Sequence, residues 1–240
     1  MIVAVGACPH PPLLVPCLAA GAAEELAGLR LACTSAVRRL VSADPDVICV
    51  VGTGSAERWY DDRASGSFQA YGVPLEVGLG AAPAGPPTLP LSLTVGAWLL
   101  HGEEVTGQQM AGGRCGLAVP AGASADDLGR LRQRLDSLAP TVGLLVMGDG
   151  SARRSERAPG SLDARSAGFD AAVATALATG DPDALAGLDP VLGAELMAAG
   201  TAAWRLLGAA AADATWDAEL LADIAPYGVG YLVASWTRRG

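Results

Sequence analysis

The chain has 240 residues, 51% of them apolar but only 5% aromatic, so its interior must be built largely from Ala, Val and Leu. That length and composition fit one core, and a single domain over residues 1–240 is expected. All 16 basic residues are arginine, and against 25 acidic residues they leave a net charge of −9, without the clustered basic face that nucleic-acid binding requires.

The apolar run Ile2, Val3, Val5 predicts a short buried strand ending in a small-residue turn. His10 follows between Pro9 and Pro11, with Pro12 behind it. Prolines fix φ and remove backbone donors, so the chain is stopped rigidly there with an imidazole in place. In open α/β sheets ligands bind beyond the carboxyl ends of strands, which makes His10 the first candidate site residue. The alternative is that His10 only fills a rigid turn. A helix is expected from about Ala20 to Ser42, with Leu26, Leu29, Cys33, Val37 and Leu40 on one face. Asp44-Pro45 ends it, and Val47–Val51 predicts a second buried strand followed by a Gly52–Ser55 loop. This strand–helix–strand unit suits two parallel strands.

Residues 61–90 read as an irregular excursion, with a short strand over Pro74–Val77. Leu91–Leu100 is apolar enough for a buried helix or a strand, with helix favoured, and Leu117–Val119 reads as a strand. Ser124, with Asp127 three residues on, predicts a capping box opening a helix striped by Leu128, Leu131, Leu135 and Leu138. Val142–Met147 predicts a central strand running into the loop Gly148–Ser151, and 152–163 reads as polar and mobile. Helices are expected at Ala164–Ala178 and, continuously, at Pro190–Leu207, with Asp189 as N-cap. Val229–Trp236 predicts a closing strand. Strands alternating with helices give an α/β domain with a mainly parallel or mixed central sheet.

The cysteines (Cys8, Cys17, Cys33, Cys49, Cys115) show no CxxC spacing. There is no signal-peptide pattern, and no apolar run of about 18 residues to cross a membrane. A cytoplasmic protein with reduced thiols is expected.

Three strand ends carry polar groups: His10, the Thr53–Glu57 loop and the Asp149–Ser151 loop. Neither glycine-rich loop matches a Walker A, GxGxxG or GxSxG pattern. His101 stands at an expected helix end, where the dipole favours a cation, and reads as structural. A metal reading is sharper, because non-heme iron takes two histidines and a carboxylate with open positions. His10 supplies one ligand. No second histidine follows Val47–Val51, where Glu57 or a cysteine would have to substitute.

The opening strand running into CPHPPLLVP, the VICVVGTGS strand-loop, VMGDGSARR, GSLDARSAGFDAAVATALATGDPDAL and the closing APYGVGYLVASW follow one another in a familiar order. In that order the chain resembles the class III extradiol ring-cleavage dioxygenase superfamily, which includes the Memo-like proteins. The resemblance implies an α/β fold, frequent assembly as a homodimer and, in active members, Fe(II)-dependent opening of catecholic rings. It makes His10 the first metal-ligand histidine and His10, Asp149 and Ser151 the catalytic candidates. Thr53, Ser55 and Glu57 become candidates for holding substrate. The second ligand histidine should fall within Thr53–Ser55 and the catalytic one after Ser151, where this chain has Ala152 and Arg153. Glu219 and Asp223 are the acids nearest the expected C-terminal ligand position. Losing one ligand histidine removes much of a site's metal affinity, and losing an acid/base histidine costs on the order of a hundredfold in rate. Three readings follow: a small-molecule-binding protein with a diverged metal site, an Fe(II) or Zn(II) oxygenase with altered ligands, and a non-catalytic scaffold.

Overall fold

The computed structural model describes residues 1–19, 21, 23–80, 82–102 and 112–240. At its centre four parallel strands lie side by side: β6 (Gly113–Pro120), β2 (Val47–Gly54), β7 (Val142–Met147) and β1 (Ile2–Cys8). β3 (Arg58–Tyr60) adds antiparallel to β6 at one edge; β9 (Tyr231–Arg238) and β8 (Trp216–Ile224) add antiparallel beyond β1 at the other. The result is a seven-stranded mixed sheet, the α/β domain that the alternating elements predict. A small hairpin of β4 (Ser65–Ser67) and β5 (Glu76–Gly78) occupies the 61–90 excursion.

Central strands buried on both faces read as unbroken apolar runs, as VICVV and VGLLVM do. On one face of the sheet, α2 (Ala27–Ser42) and α3 (Leu91–Leu100) pack against Ala4, Ile48, Val50 and Leu145. The predicted stripe Leu26, Leu29, Cys33, Val37 and Leu40 is buried, although the helix begins at Ala27, after a turn; Ala20 lies outside the described residues. On the other face, α4 (Ala125–Asp136), α5 (Arg165–Thr179) and α8 (Thr201–Ala211) cover Val5, Cys49, Val51, Leu144 and Val146. Short helices α1 (Pro16–Ala19), α6 (Pro182–Ala186) and α7 (Pro190–Glu195) complete the chain.

Among the departures from the sequence reading, which include the unpredicted strands β3 and β4, two stand out. β8 is a strand that the alanine-rich stretch before it conceals. Trp216, Ala218 and Leu220 turn to one face of the sheet; a register shift between Leu220 and Ala222 then moves Leu221 and Ala222 to the other, which breaks period-two alternation. The second departure is that Pro190–Leu207 is two helices, not one. α7 ends with the Ala198 N–H donating to the Gly193 carbonyl (2.8 Å) and the Met197 N–H to Ala194 (3.1 Å), with Met197 left-handed at φ 56°. This is a Schellman stop whose left-handed position carries Met where glycine is usual, so no glycine marks it in the sequence.

The stretch 152–163, expected to be mobile, is pinned by backbone bonds instead. Ala152 donates to Leu196 (3.0 Å), Arg154 to Gly228 (3.0 Å) and Gly160 to Ala152 (2.9 Å). The Ser124 capping box forms as expected, the Ser124 oxygen accepting from the Asp127 N–H and Asp127 accepting from the Ser124 N–H. Replacing Ser124 by Ala should therefore lower the unfolding free energy by about 1 kcal/mol, read as a shift in urea midpoint at constant slope.

Candidate functional site

β2 and β7 are neighbours in the sheet, yet β2 leads towards α3 on one face and β7 towards α5 on the other. Adjacent strands whose connections depart to opposite faces leave a crevice above their carboxyl ends. Around this crevice the structure gathers His10, Thr53, Asp149 and the Ala199–Gly200 step between α7 and α8.

His10 is 8% exposed. Of the four residues 9–12 it alone has a backbone N–H, and that N–H donates to Asp149 Oδ1 at 2.7 Å. The His10 ring turns the same way, with Nδ1 3.6 Å from that oxygen, beyond hydrogen-bond distance. Nδ1 is buried and has no hydrogen-bond partner. The Asp149 side chain is 16% exposed, and burial raises its carboxyl above the usual 3.8, against the opposing pull of His10. Burial also raises the Tyr231 phenol, with the charge of Asp149 adding to it. Tyr231, the first residue of β9, lies near enough to this site for the Asp149 charge to reach its phenol. Burial raises the Cys33 thiol too, helped by Cys8 and Asp149.

Backbone bonds fix the loop after β7. Gly148 N–H donates to Cys8 (2.9 Å), and Gly200 N–H to the Asp149 carbonyl (2.8 Å). Thr53 stands at the rim, its Oγ1 donating to the Ala199 carbonyl at 2.6 Å while its own carbonyl accepts from Ser92 Oγ at 3.0 Å. The break between α7 and α8 is thus what lets one chain segment bond to the ends of both β2 and β7.

The other candidates fall elsewhere. Ser151 is fully buried; its N–H and Oγ both donate to Asp170, each at 2.8 Å, and Arg154 Nη1 adds a third bond to that carboxylate at 3.0 Å. Ser151 is therefore committed beneath the loop. Ser55 is exposed past β2, and Glu57 is held by Arg130 of α4 at 3.1 Å. Glu219 and Asp223 sit on the edge strand β8, Glu219 paired with Arg39 at 2.5 Å. His101 stands at the end of α3, its Nε2 2.9 Å from the Gly78 carbonyl and 3.1 Å from Arg114 Nη1; burial and the Arg114 charge lower its pKa, against the cation expected at a helix end. Three participants escape residue-type reasoning. Tyr231 opens a strand, Gly200 sits inside an apparently continuous helix, and Asp170 has the Phe-Asp pair of α5 as its one sequence signal.

Iron in a non-heme oxygenase takes three protein donors, as does catalytic zinc. Among the described residues no group of three His, Cys, Asp or Glu side chains is placed to hold a metal, and His10 with Asp149 makes two. This donor set does not fit an Fe(II) or Zn(II) centre. No described helix is long and apolar enough to cross a membrane, and Cys8, Cys17, Cys33, Cys49 and Cys115 are free thiols.

No family model and no curated protein matches the chain. Among solved structures it is similar to the crystal structure of the uncharacterized protein JW3007 from Escherichia coli K12, at 13% identity and a TM-score of 0.50. The match spans 98% of this chain and 99% of that one, and at that identity it shows the fold alone.

Two outcomes follow from the site's construction. Asp170→Ala leaves the Arg154 charge and two donors unmatched and should cost about 3 kcal/mol in urea unfolding, whereas Ser151→Ala should cost about 1 kcal/mol. The raised carboxyl of Asp149 means that the folded state holds its proton to higher pH than the unfolded chain does. Its stability contribution is therefore present below the ordinary carboxylate value and lost as pH rises through the folded one. Asp149→Asn keeps an acceptor for the His10 N–H while removing that loss. In a pH series of urea midpoints, the variant should gain on the parent as pH climbs from the ordinary carboxylate range, then hold a constant lead. A lead that does not vary with pH would mean that Asp149 does not titrate abnormally.

Proposed function

We propose that this protein is a class III extradiol dioxygenase-like protein with a diverged metal site, whose His10 crevice binds a small molecule without an iron or zinc ion. The observation that carries this reading is the His10–Asp149 pair. A buried imidazole nitrogen with no partner faces a carboxylate at the carboxyl ends of parallel strands, and the described residues provide no third donor. A buried polar atom left unmatched costs free energy, and such a group persists where a ligand completes it. The ordered set of sequence segments supplies the family part of the reading.

The roles follow from the geometry. Asp149 fixes the His10 backbone through its N–H and lies beside the ring, 3.6 Å from Nδ1. His10 offers its unpartnered Nδ1 for a hydrogen bond with a polar group of the ligand. Tyr231 remains a protonated phenol at neutral pH and offers a second polar group beside Asp149. Thr53 shapes the rim through its hold on Ala199. Free thiols and the lack of a described membrane-crossing helix support a cytoplasmic location.

Elemental analysis of untagged protein, beside His10→Ala, tests the reading. The expected result is no stoichiometric iron or zinc in either. About one metal per chain in the parent, lost in the variant, would replace this reading with that of an oxygenase with rebuilt ligands.

A further inference from the structure

A separate cavity of about 520 Å³ lies at the β3 edge of the sheet, lined among others by Arg58, Tyr60, Asp61, Arg63, Pro86 and Thr88. It shares no residue with the His10 site. Arg58 and Tyr60 are two apart on β3, so alternation sets them on one face, and the Arg58 guanidinium lies 4.9 Å from the centre of the Tyr60 ring. Stacking on a buried ring holds that cation in place while leaving its N–H groups free. Arg63 comes from the loop beyond. Its N–H donates to Asp61 Oδ1 (3.1 Å), its carbonyl accepts from Ala84 (2.8 Å), and Thr88 and Leu89 both donate to the Ser65 carbonyl. These bonds join the two loops that wall the cavity and fix where Arg63 departs.

Neither guanidinium has an ion-pair or hydrogen-bond partner among the described residues. Within the described residues six other arginines pair with carboxylates, among them Arg39 with Glu219, Arg130 with Asp127, Arg165 with Asp163 and Arg239 with Asp217, while Arg30, Arg205 and Arg238 bond to backbone carbonyls and Arg134 stacks on Trp59. In a chain carrying a net charge of −9, two unmatched arginines beside one carboxylate leave the lining of this cavity with a net positive charge. Asp61, the carboxylate in this lining, is engaged by the Arg63 backbone and pairs with neither guanidinium. Planar guanidinium forks match oxyanions in two-point contacts.

We propose that this cavity is a binding site for a small molecule carrying an oxyanion, a phosphate or a carboxylate, gripped by Arg58 and Arg63. Arg58 is preset by Tyr60, and Thr88 lies within the same wall.

Calorimetric titration at low ionic strength with inorganic phosphate, and separately with malonate, tests this on the whole chain. The comparison is between the parent, an Arg58→Gln/Arg63→Gln double variant, and Arg157→Gln, which removes an exposed arginine outside the cavity. Saturable binding is expected in the parent, weakened about tenfold or more in the double variant and unchanged in Arg157→Gln. Binding of phosphate alone assigns a phosphoryl group, and binding of malonate alone assigns a carboxylate. No saturable binding of either anion, or an equal loss in Arg157→Gln, overturns the proposal. Unchanged affinity in the double variant overturns it as well.

Discussion

The carboxyl edge of this sheet depends on one close backbone approach. A Cβ on Gly148 would meet the Gly200 Cα at 2.7 Å, and one on Gly200 would meet the Gly148 Cα at 2.8 Å. Trp204, fully buried, presses on both. Only two glycines let the start of α8 come this near to the end of β7. That approach lets Gly200 bond to the Asp149 carbonyl and Ala199 accept from Thr53. Asp149 is thereby set where it receives the His10 N–H, and the crevice takes its shape.

Below that edge a second constraint holds the loop. Asp170 is 1% exposed, yet three donors meet its carboxylate. Gly150 and Gly230 flank it, each with too little room for a Cβ beside the carboxylate. Gly150 donates to Gly230 and Gly230 to Ser151, so the loop after β7 runs beside the start of β9 as a short ladder. A buried carboxylate is costly to desolvate, and full satisfaction is what makes it tolerable. Here it joins α5 to the loop after β7 and to the start of β9.

Much of the fold was legible because its signals are local. Continuous apolar runs marked β1, β2 and β7, the three- and four-residue spacing marked the buried face of α2, and Ser124 with Asp127 marked the start of α4. What escaped depends on partners far along the chain. β8 owes its strand to pairing with β9, and its bulge erased the alternation that would have shown it. The stop after α7 uses a left-handed Met197, and its reason is the approach of Gly200 to Gly148, a residue distant in sequence. His10 and Asp149 were legible as strand-end polar residues. That they meet through a backbone N–H was not, because it depends on β1 and β7 being neighbours.

The same geometry bears on why the family-like segments carry a donor set that does not fit a metal. Asp149 and Ser151 both match the resemblance, and both have folding work here: one binds the His10 N–H, the other helps satisfy Asp170. The histidines that the resemblance implies would stand at Thr53–Ser55 and after Ser151, where this chain places a rim threonine, an exposed serine and a small buried alanine. None of these positions needs an imidazole to hold the sheet, the loops or the crevice together. Residues with a structural role are, on the proposed reading, kept while those with only a chemical one are free to change. Under the proposed reading, a protein can keep the order of its segments and the outline of its cleft after its metal chemistry has gone, since fold and function rest on different side chains.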